Sequence, residues 1–236
     1  MKIEGRNAVL ELLRTDKTID KILMKKGAEQ TLGRIFAAAR EKNVRVQFLD
    51  AKVLDKESET GRHQGVIAVV SDYEYADFSD LTAPKGKPRL VIVCDGVEDV
   101  HNLGSIIRVA ECAGADGVVI PKNKSAQVTG AVVRISEGAA NHIPVARVPG
   151  VNYAVDELKK SGFWVYGLEA DGEDLYSCDL TGDVALVIGG EDSGVGALTR
   201  KKCDKILSLP LYGQVNSLNA SVALGAAVYE AVRQRR

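Results

Sequence analysis

The chain has 236 residues and a formal net charge of −1, and 45% of its residues are apolar. This composition is ordinary for a globular protein, and no apolar run reaches the roughly 20 residues that span a bilayer. A near-neutral charge disfavours a protein that grips nucleic acid over its whole surface, so any such contact must be local. The start of the sequence, MKIEGRNAVLELL, lacks a signal-peptide hydrophobic region, and we therefore predict a cytoplasmic protein.

The four cysteines are widely separated and form no Cys-x-x-Cys pair. No neighbouring histidine stands at metal-ligand spacing, which disfavours a zinc site. We predict reduced structural thiols rather than a disulfide framework, and no bound metal. The residues are Cys94, Cys112, Cys178 and Cys203.

Residues 1–72 show the pattern of a small α/β domain. Apolar spacing predicts helices over 5–13, 32–42 and 51–57, and strands over 22–24, 44–49 and 66–70. This part holds 14 Lys and Arg against 11 Asp and Glu, a net charge of +3, whereas the remainder carries −4. A mildly basic domain of this kind could contact phosphates.

The stretch 73–88 is acidic and then rich in Pro, Gly and Lys, and we predict a linker there. Residues 89–236 follow as a longer β/α series. Continuous apolar strands such as 90–94 favour a parallel sheet with helices on both faces, whose ligands lie beyond the carboxyl ends of the strands. Further strands are expected at 118–120, 144–148, 164–168, 184–188 and 206–209, and helices at 102–113, 130–136, 152–160 and 198–202.

The stretch 207–228, LSLPLYGQVNSLNASVALGAAV, predicts a short strand, a turn and a final helix. Ser217 is expected to cap this helix at its start. The helix is apolar or small on almost every side, which indicates burial in a core or against a second subunit. Asn219 and Ser221 place further polar groups at its entrance.

Two other predicted strand ends are also rich in polar or flexible residues. Asn102 opens a helix, and Arg108 follows six residues later, about 120° around the helix axis. The sequence VIGGEDSGVG flanks Glu191 with glycines. It matches neither the dinucleotide fingerprint G-x-G-x-x-G nor a P-loop, which argues against a nucleotide-dependent oxidoreductase. The lone histidines His101 and His142 are expected to be structural.

In this order, NLGSIIR, GGEDSGV and LPLYGQVNSLNASVA resemble the three motifs of the SpoU (TrmH-like) RNA ribose 2′-O-methyltransferases of the SPOUT superfamily. The resemblance covers the chain from about residue 89 onward. The segments IEGRNAVLELL and HQGVIAVV are similar to the ribosomal-protein-like substrate-binding domain that many members carry. That pairing is typical of the subgroup that methylates a guanosine of 23S rRNA. Ala220, where members commonly have Val, is a departure that concerns no catalytic group.

The resemblance implies a SPOUT-type α/β catalytic domain with a C-terminal trefoil knot formed by loops 189–195 and 210–219. It also implies a homodimer that binds S-adenosylmethionine (SAM). Gly189, Leu209 and Leu218 match the cofactor site, and the family's active-site positions map to Arg108, Asn102, Glu191, Ser217 and Asn219.

The family reaction is the attack of a ribose 2′-oxygen on the methyl group of a sulfonium. Arg108 could serve as the base, but a guanidinium keeps its proton, so orienting a phosphate or stabilising an alkoxide suits it better. Asn102 and Glu191 could hold Arg108 in place. Two alternatives stay open: a tRNA methyltransferase of the same family, and a non-catalytic rRNA-binding protein on this fold.

Overall fold

The computed structural model describes residues 1–15, 17–28, 30–71, 73–191 and 193–236. Asp72, the predicted last residue of the first domain, and Asp192, in the predicted glycine-rich loop, lie outside the described residues. The chain forms two compact units. The first comprises Met1–Glu74 and Val128–Ala131, and the second comprises Tyr75–Gln127 and Val132–Arg236.

The first unit contains a four-stranded sheet in the order β1-β4-β2-β3, in which only the β2–β3 pair is parallel. Its strands are β1 (Lys2–Glu4), β2 (Ile19–Lys25), β3 (Val46–Leu49) and β4 (Val66–Val70), and its helices are α1 (Arg6–Leu12), α2 (Gly33–Glu41) and α3 (Ala51–Glu57). The predicted strands and helices are all present, and the short strand β1 was not predicted.

Alternation along β2 gives this sheet two buried faces. Ile22 and Met24 pack with α1 and α2, through Val9 and Ile35 among others. Leu23, between them in sequence, joins Leu54 of α3 on the opposite face. This period of two is what places one set of side chains on each side of a strand.

A six-stranded, fully parallel sheet forms the second unit, in the order β10-β8-β9-β5-β6-β7. Its strands are β5 (Leu90–Asp95), β6 (Gly117–Pro121), β7 (Val145–Val148), β8 (Trp164–Asp174), β9 (Val184–Gly189) and β10 (Lys205–Ser208). The remaining helices are α4 (Phe78–Thr82), α5 (Val100–Cys112), α6 (Gly130–Ile135), α7 (Val151–Lys160), α8 (Ala197–Lys202) and α9 (Ala220–Gln234). The predicted parallel sheet is confirmed.

Both faces of this sheet are buried, as its continuous apolar strands require. Val91 and Val93 of β5 pack with Leu158 of α7 on one face. Ile92 and Cys94, of opposite parity, are fully buried as well. Burial, together with the charge of Asp95, raises the pKa of the Cys94 thiol to about 12, so this thiol stays protonated. All four cysteines are free.

The stretch 73–88, expected to be a linker, contributes to the second unit from Tyr75 onward. It contains α4, whose Leu81 is fully buried. A side chain at Gly117 would collide with Leu81, so the close packing of α4 requires a glycine at the start of β6. A five-residue helix of this kind is too short to leave a periodic apolar signal.

Strand β8 is longer than predicted and runs past an irregularity in its pairing with β10. Gly167 pairs with Ile206, but the next residue of β10, Leu207, pairs with Glu173. The residues between, 168–172, are therefore displaced from regular pairing.

The C-terminal end of α9 is held to the segment that precedes β9. Gln234 accepts a hydrogen bond from the Leu180 backbone N–H at 2.8 Å and donates one to the Cys178 carbonyl at 3.0 Å. Arg235 donates to the carbonyls of Leu180 and Gly182 at 2.9 and 2.7 Å. These bonds fix the far end of the helix whose first residues enter the candidate site.

Helix α9 is not buried on every side within the chain. Leu224 and Val228 are fully buried, but Val222 is 57% exposed and Tyr229 is 50% exposed. Burial within the chain's own core therefore covers only part of α9 and leaves one apolar face uncovered, and burial of that face against a second subunit stays a prediction. In the described part of the chain, no helix is long and apolar enough to cross a membrane.

Candidate active site

Loops that follow three strands of the parallel sheet meet at one point. The side-chain nitrogen Nδ2 of Asn219 donates to Asn102 Oδ1 at 2.9 Å and to Glu191 Oε1 at 2.7 Å. Asn102 lies in the first turn of α5, Glu191 follows β9, and Asn219 lies between β10 and α9. The structure thus brings together three of the five predicted active-site residues, which we call the Asn102–Glu191–Asn219 cluster.

Asn219, and not Ser217, caps α9. Its Oδ1 accepts hydrogen bonds from the backbone N–H groups of Ser221 and Val222, at 2.9 and 3.4 Å, and from the Ser221 hydroxyl at 2.6 Å. The predicted cap at Ser217 is wrong, because α9 begins at Ala220 and Ser217 lies in the exposed segment before it. An amide can cap the helix with its oxygen while its nitrogen donates to both Asn102 and Glu191, whereas a hydroxyl has a single hydrogen to donate.

The position of Asn102 is fixed by its own helix. Asp99 caps α5, and its Oδ2 accepts a hydrogen bond from the Asn102 backbone N–H at 3.1 Å. Asn102 is only 6% exposed. A buried amide needs partners, and Asn219 supplies one.

A cleft of about 370 Å³ lies beside the cluster, a size within the usual range of small-molecule sites. Gly189, Leu209 and Leu218, the residues that match the family's cofactor site, all contribute to its lining. Glu191, Ser217 and Asn219 line it too. Their individual roles remain predictions.

The wall of the cleft formed by the loop after β9 is close-packed backbone. A side chain at Gly189 would overlap the backbone of Gly194 and Val195, and one at Gly190 would collide with the Gly96 carbonyl. Gly194 has a φ of +59°, which favours glycine. The glycines of this loop therefore permit close approach of backbone groups, as a site that binds through backbone donors and acceptors requires.

A second cavity, of about 340 Å³, adjoins the first. Both cavities are lined by Gly190, Glu191 and Ala220. Asn102 lines only the second cavity, and Asn219 only the first. The cluster therefore lies at the boundary between two neighbouring spaces.

Arg108 lies apart from this cluster in its own chain. Arg108 Nη1 lies 3.9 Å from Glu137 Oε1, and both side chains are more than half exposed. Within one chain, Asn102 and Glu191 hydrogen bond to Asn219 and not to Arg108. That they hold Arg108 stays a prediction. Arg108 is on the exposed side of α5, together with His101 and Cys112.

Glu169 is a cleft residue that the sequence analysis did not identify. It lies in the irregular part of β8, and its carboxylate accepts a hydrogen bond from the Val195 backbone N–H. It lines the larger cleft with Leu168 and Ala170. In the sequence, Glu169 is a glutamate directly after the predicted strand 164–168. This pattern is too common to indicate a functional residue.

Comparison with known proteins agrees with this arrangement. The model of the SpoU rRNA Methylase family matches residues 89–229, and that of the RNA 2′-O ribose methyltransferase substrate-binding domain matches residues 2–76. A Bacillus subtilis relative, YacO, named for the TrmH family of tRNA/rRNA methyltransferases, is 42% identical over 98% of this chain and 94% of its own length.

Solved structures show the same fold. The SpoU methyltransferase AviRb from Streptomyces viridochromogenes, in complex with AdoMet, aligns with a TM-score of 0.64 and 27% identity. The alignment covers 100% of this chain and 90% of AviRb. The A. aeolicus TrmH/SpoU tRNA modifying enzyme aligns with a TM-score of 0.58 and 26% identity, over 67% of this chain and 80% of that enzyme.

The fold and the cleft define a SAM-dependent RNA methyltransferase. The chain belongs to the SpoU family of RNA 2′-O-ribose methyltransferases, as the resemblance of its three motifs predicted. The cleft suits the positive charge of SAM, because the ionisable side chains among its described lining residues are the carboxylates Glu169 and Glu191. Among the described residues, no group of His, Cys, Asp and Glu could hold a metal ion.

Proposed function

We propose that this methyltransferase acts on a guanosine of large-subunit rRNA. The observation that carries the proposal is the N-terminal unit, since a substrate-binding family model matches residues 2–76. The tRNA modifying enzyme of A. aeolicus aligns with only 67% of this chain, whereas AviRb aligns with all of it. The matched methylase family is also described as an rRNA family. Under this proposal residues 1–72 bind RNA and residues 89–236 hold SAM. The stretch 73–88 connects them and packs on the second unit from Tyr75 onward.

Within the catalytic unit, we propose that SAM occupies the 370 Å³ cleft and the target ribose enters the adjoining 340 Å³ cavity. SAM supplies an electrophilic methyl group on a positively charged sulfur. The Asn102–Glu191–Asn219 cluster, at the boundary of the two cavities, then holds the 2′-oxygen near that methyl group. Alignment of this kind is a large part of what such a displacement needs from a protein. Ser217 shapes the wall beside the cluster.

We further propose that the protein is a homodimer in which α9 forms part of the interface. Val222 and Tyr229 expose apolar surface on α9 although the opposite side of the helix is buried. Covering such a face is favourable because it removes apolar area from water. The predicted trefoil knot and cytoplasmic location remain part of this proposal.

Arg108 fits this arrangement as a residue supplied across the dimer. It has no contact with the cluster of its own chain, and it lies on α5, which packs beside α9. A guanidinium can orient an RNA phosphate and stabilise a developing alkoxide without giving up its proton. We assign this role to Arg108, rather than that of the base.

The experiment that tests the substrate is a map of 2′-O-methyl groups in rRNA and tRNA from cells that lack the protein. The expected result is the loss of one methylated guanosine in large-subunit rRNA, restored by the wild-type gene and not by a gene carrying Glu191→Gln. Loss of a tRNA methyl group instead would favour the alternative substrate. Unchanged methylation in both RNAs would favour a non-catalytic RNA-binding protein.

A further inference from the structure

Glu169 places a negative charge in the cofactor cleft beside the glycine-rich loop. Its half-buried side chain lines the cleft, and Glu191 is the other ionisable residue of the described lining. Glu191 also accepts a hydrogen bond from Asn219, within the cluster. Glu169 lies outside that cluster, so its charge can be considered separately from the alignment of the ribose.

The contacts of Glu169 hold it in this position. One carboxylate oxygen, Oε1, accepts the hydrogen bond from the Val195 backbone N–H. A side chain at Gly194 would collide with the same carboxylate, so the glycine leaves the room that the carboxylate occupies. Glu169 therefore ties β8 to the loop after β9 while keeping a charged group at the wall of the cleft.

No cationic side chain shares the described lining of this cleft. The neighbouring Arg200 is engaged elsewhere, in a two-point ion pair with Asp171 at 2.9 and 2.8 Å. The hydrogen bonds that Arg200 donates to Asp171 raise the pKa of Arg200, and the charge of Glu169 adds to this shift. Because Asp171 already balances Arg200, the negative charge of Glu169 remains available to a ligand.

The cofactor loses a positive charge during the reaction. The bond between the methyl carbon and sulfur breaks as the methyl carbon bonds to the ribose 2′-oxygen, and the sulfur retains the electron pair. The hydroxyl proton leaves the oxygen and passes to solvent water. S-adenosylhomocysteine, the product, therefore has a neutral thioether where SAM has a sulfonium. A carboxylate in the cleft favours SAM over S-adenosylhomocysteine by Coulomb attraction, because only SAM carries the positive charge.

We propose that Glu169 is a specificity-determining residue that makes the cleft prefer the charged methyl donor to its neutral product. It thereby limits inhibition by the product and assists its release. The inference rests on SAM being the cofactor and is independent of which RNA is methylated.

The test is calorimetric binding of three ligands to the full chain without RNA: SAM, S-adenosylhomocysteine and sinefungin, which carries an amine cation in place of the sulfonium. Glu169→Gln keeps an oxygen acceptor for the Val195 N–H but removes the charge. This variant should weaken SAM binding by about three- to tenfold, in the range of a partly desolvated charge pair. Sinefungin should follow SAM, and affinity for S-adenosylhomocysteine should stay within about twofold.

Glu173→Gln is the matched control, since Glu173 is an exposed carboxylate on the same strand, paired with Lys205. It should leave all three affinities unchanged. Thermal melting checks that each variant is folded. An equal loss of affinity for SAM and S-adenosylhomocysteine in Glu169→Gln would assign Glu169 a purely structural role and overturn the proposal, and so would no change in either.

Discussion

Asn219 and Asn102, which are 117 positions apart in the chain, are joined by a side-chain hydrogen bond of 2.9 Å. The bond links the first turn of α5 to the start of α9 and places both amides beside Glu191. Each end of the Asn219 side chain has a separate task, since the oxygen caps α9 and the nitrogen completes the cluster. The two tasks can be separated by substitution.

Asn219→Asp should fold normally but transfer methyl groups at a rate lower by a factor on the order of 100, comparable to the loss of one positioned donor. The aspartate keeps the capping oxygen but loses the donor and brings a second negative charge to Glu191. Asn219→Ala should lose the cap as well and be destabilised by about 1 kcal/mol. Single-turnover rates with saturating SAM, and melting temperatures, measure these effects.

Ser221→Ala, which removes only a hydroxyl bond to Asn219, is the control. A normal rate in the aspartate variant would show that the donor has no catalytic importance.

Arg108→Ala should retain its fold and its affinity for SAM while methyl transfer falls by a factor on the order of 100 or more. Arg108→Lys should recover little, because an ammonium cannot reproduce a planar fork of donors. Glu137→Ala is the matched control, since it breaks the same ion pair from its other side. An exposed pair of this kind contributes only about 0–1 kcal/mol, so that variant should remain active. Equal rates in the two alanine variants would mean that Arg108 is only a surface residue.

Val222→Glu should shift the protein from dimer to monomer without unfolding the chain. Val222 is 57% exposed in the single chain, so a glutamate there is tolerated until a partner covers it, when the buried charge becomes costly. Sedimentation velocity at micromolar concentration measures the oligomeric state. Leu198→Glu on α8, at the same 57% exposure, is the control and should remain dimeric. A monomeric wild-type protein would refute the proposed homodimer.

Glu4→Gln should destabilise the first unit at neutral pH, by an amount that shrinks in acid. Burial alone would raise the pKa of Glu4, but hydrogen bonds from Thr60, Ser58 and the Glu59 backbone outweigh it and lower the pKa to about 2. Because the folded pKa lies below the unfolded one, the carboxylate contributes stability above about pH 4.5, which is lost as the pH falls toward 2.

Denaturant unfolding at several pH values between about 7 and 3 measures the difference in unfolding free energy between wild type and Glu4→Gln. Glu11→Gln is the control, because Glu11 forms only an exposed ion pair with Arg14. A difference between wild type and Glu4→Gln that stays constant with pH would contradict the role given to the Glu4 charge.

Much of the architecture followed from local patterns. Apolar periodicity located the strands and long helices, and the motif residues Asn102, Glu191 and Asn219 were identified before any contact between them was known. The cap at Ser217 was wrong because Ser and Asn are both good N-cap residues and stand two positions apart. The structure decides for Asn219, whose Oδ1 accepts from the backbone N–H groups of Ser221 and Val222.

The rest depended on tertiary structure that a linear pattern does not contain. Glu169 reaches the cleft because β8 departs from regular pairing with β10, and nothing in its own segment signals that irregularity. The surroundings of Arg108 in its own chain also depend on tertiary structure. Helical geometry predicts the angle between Asn102 and Arg108 around the axis of α5. It does not predict the contact of Arg108 with Glu137, which lies in a different segment of the chain.

The hydrogen bonds of Gln234 and Arg235 to the segment before β9 have a consequence for the order in which the enzyme becomes competent during synthesis. Glu191 leaves the ribosome 44 residues before Arg235. At about 5–20 residues per second, the interval is about 2 to 9 s. During this interval, strands β5 to β9 can assemble. Helix α9, which begins directly after Asn219, is not yet held at its C-terminal end. A nascent chain that ends shortly after Glu191 lacks the cleft residues Leu209, Leu218 and Asn219, so we expect SAM to stabilise the protein only once α9 has docked.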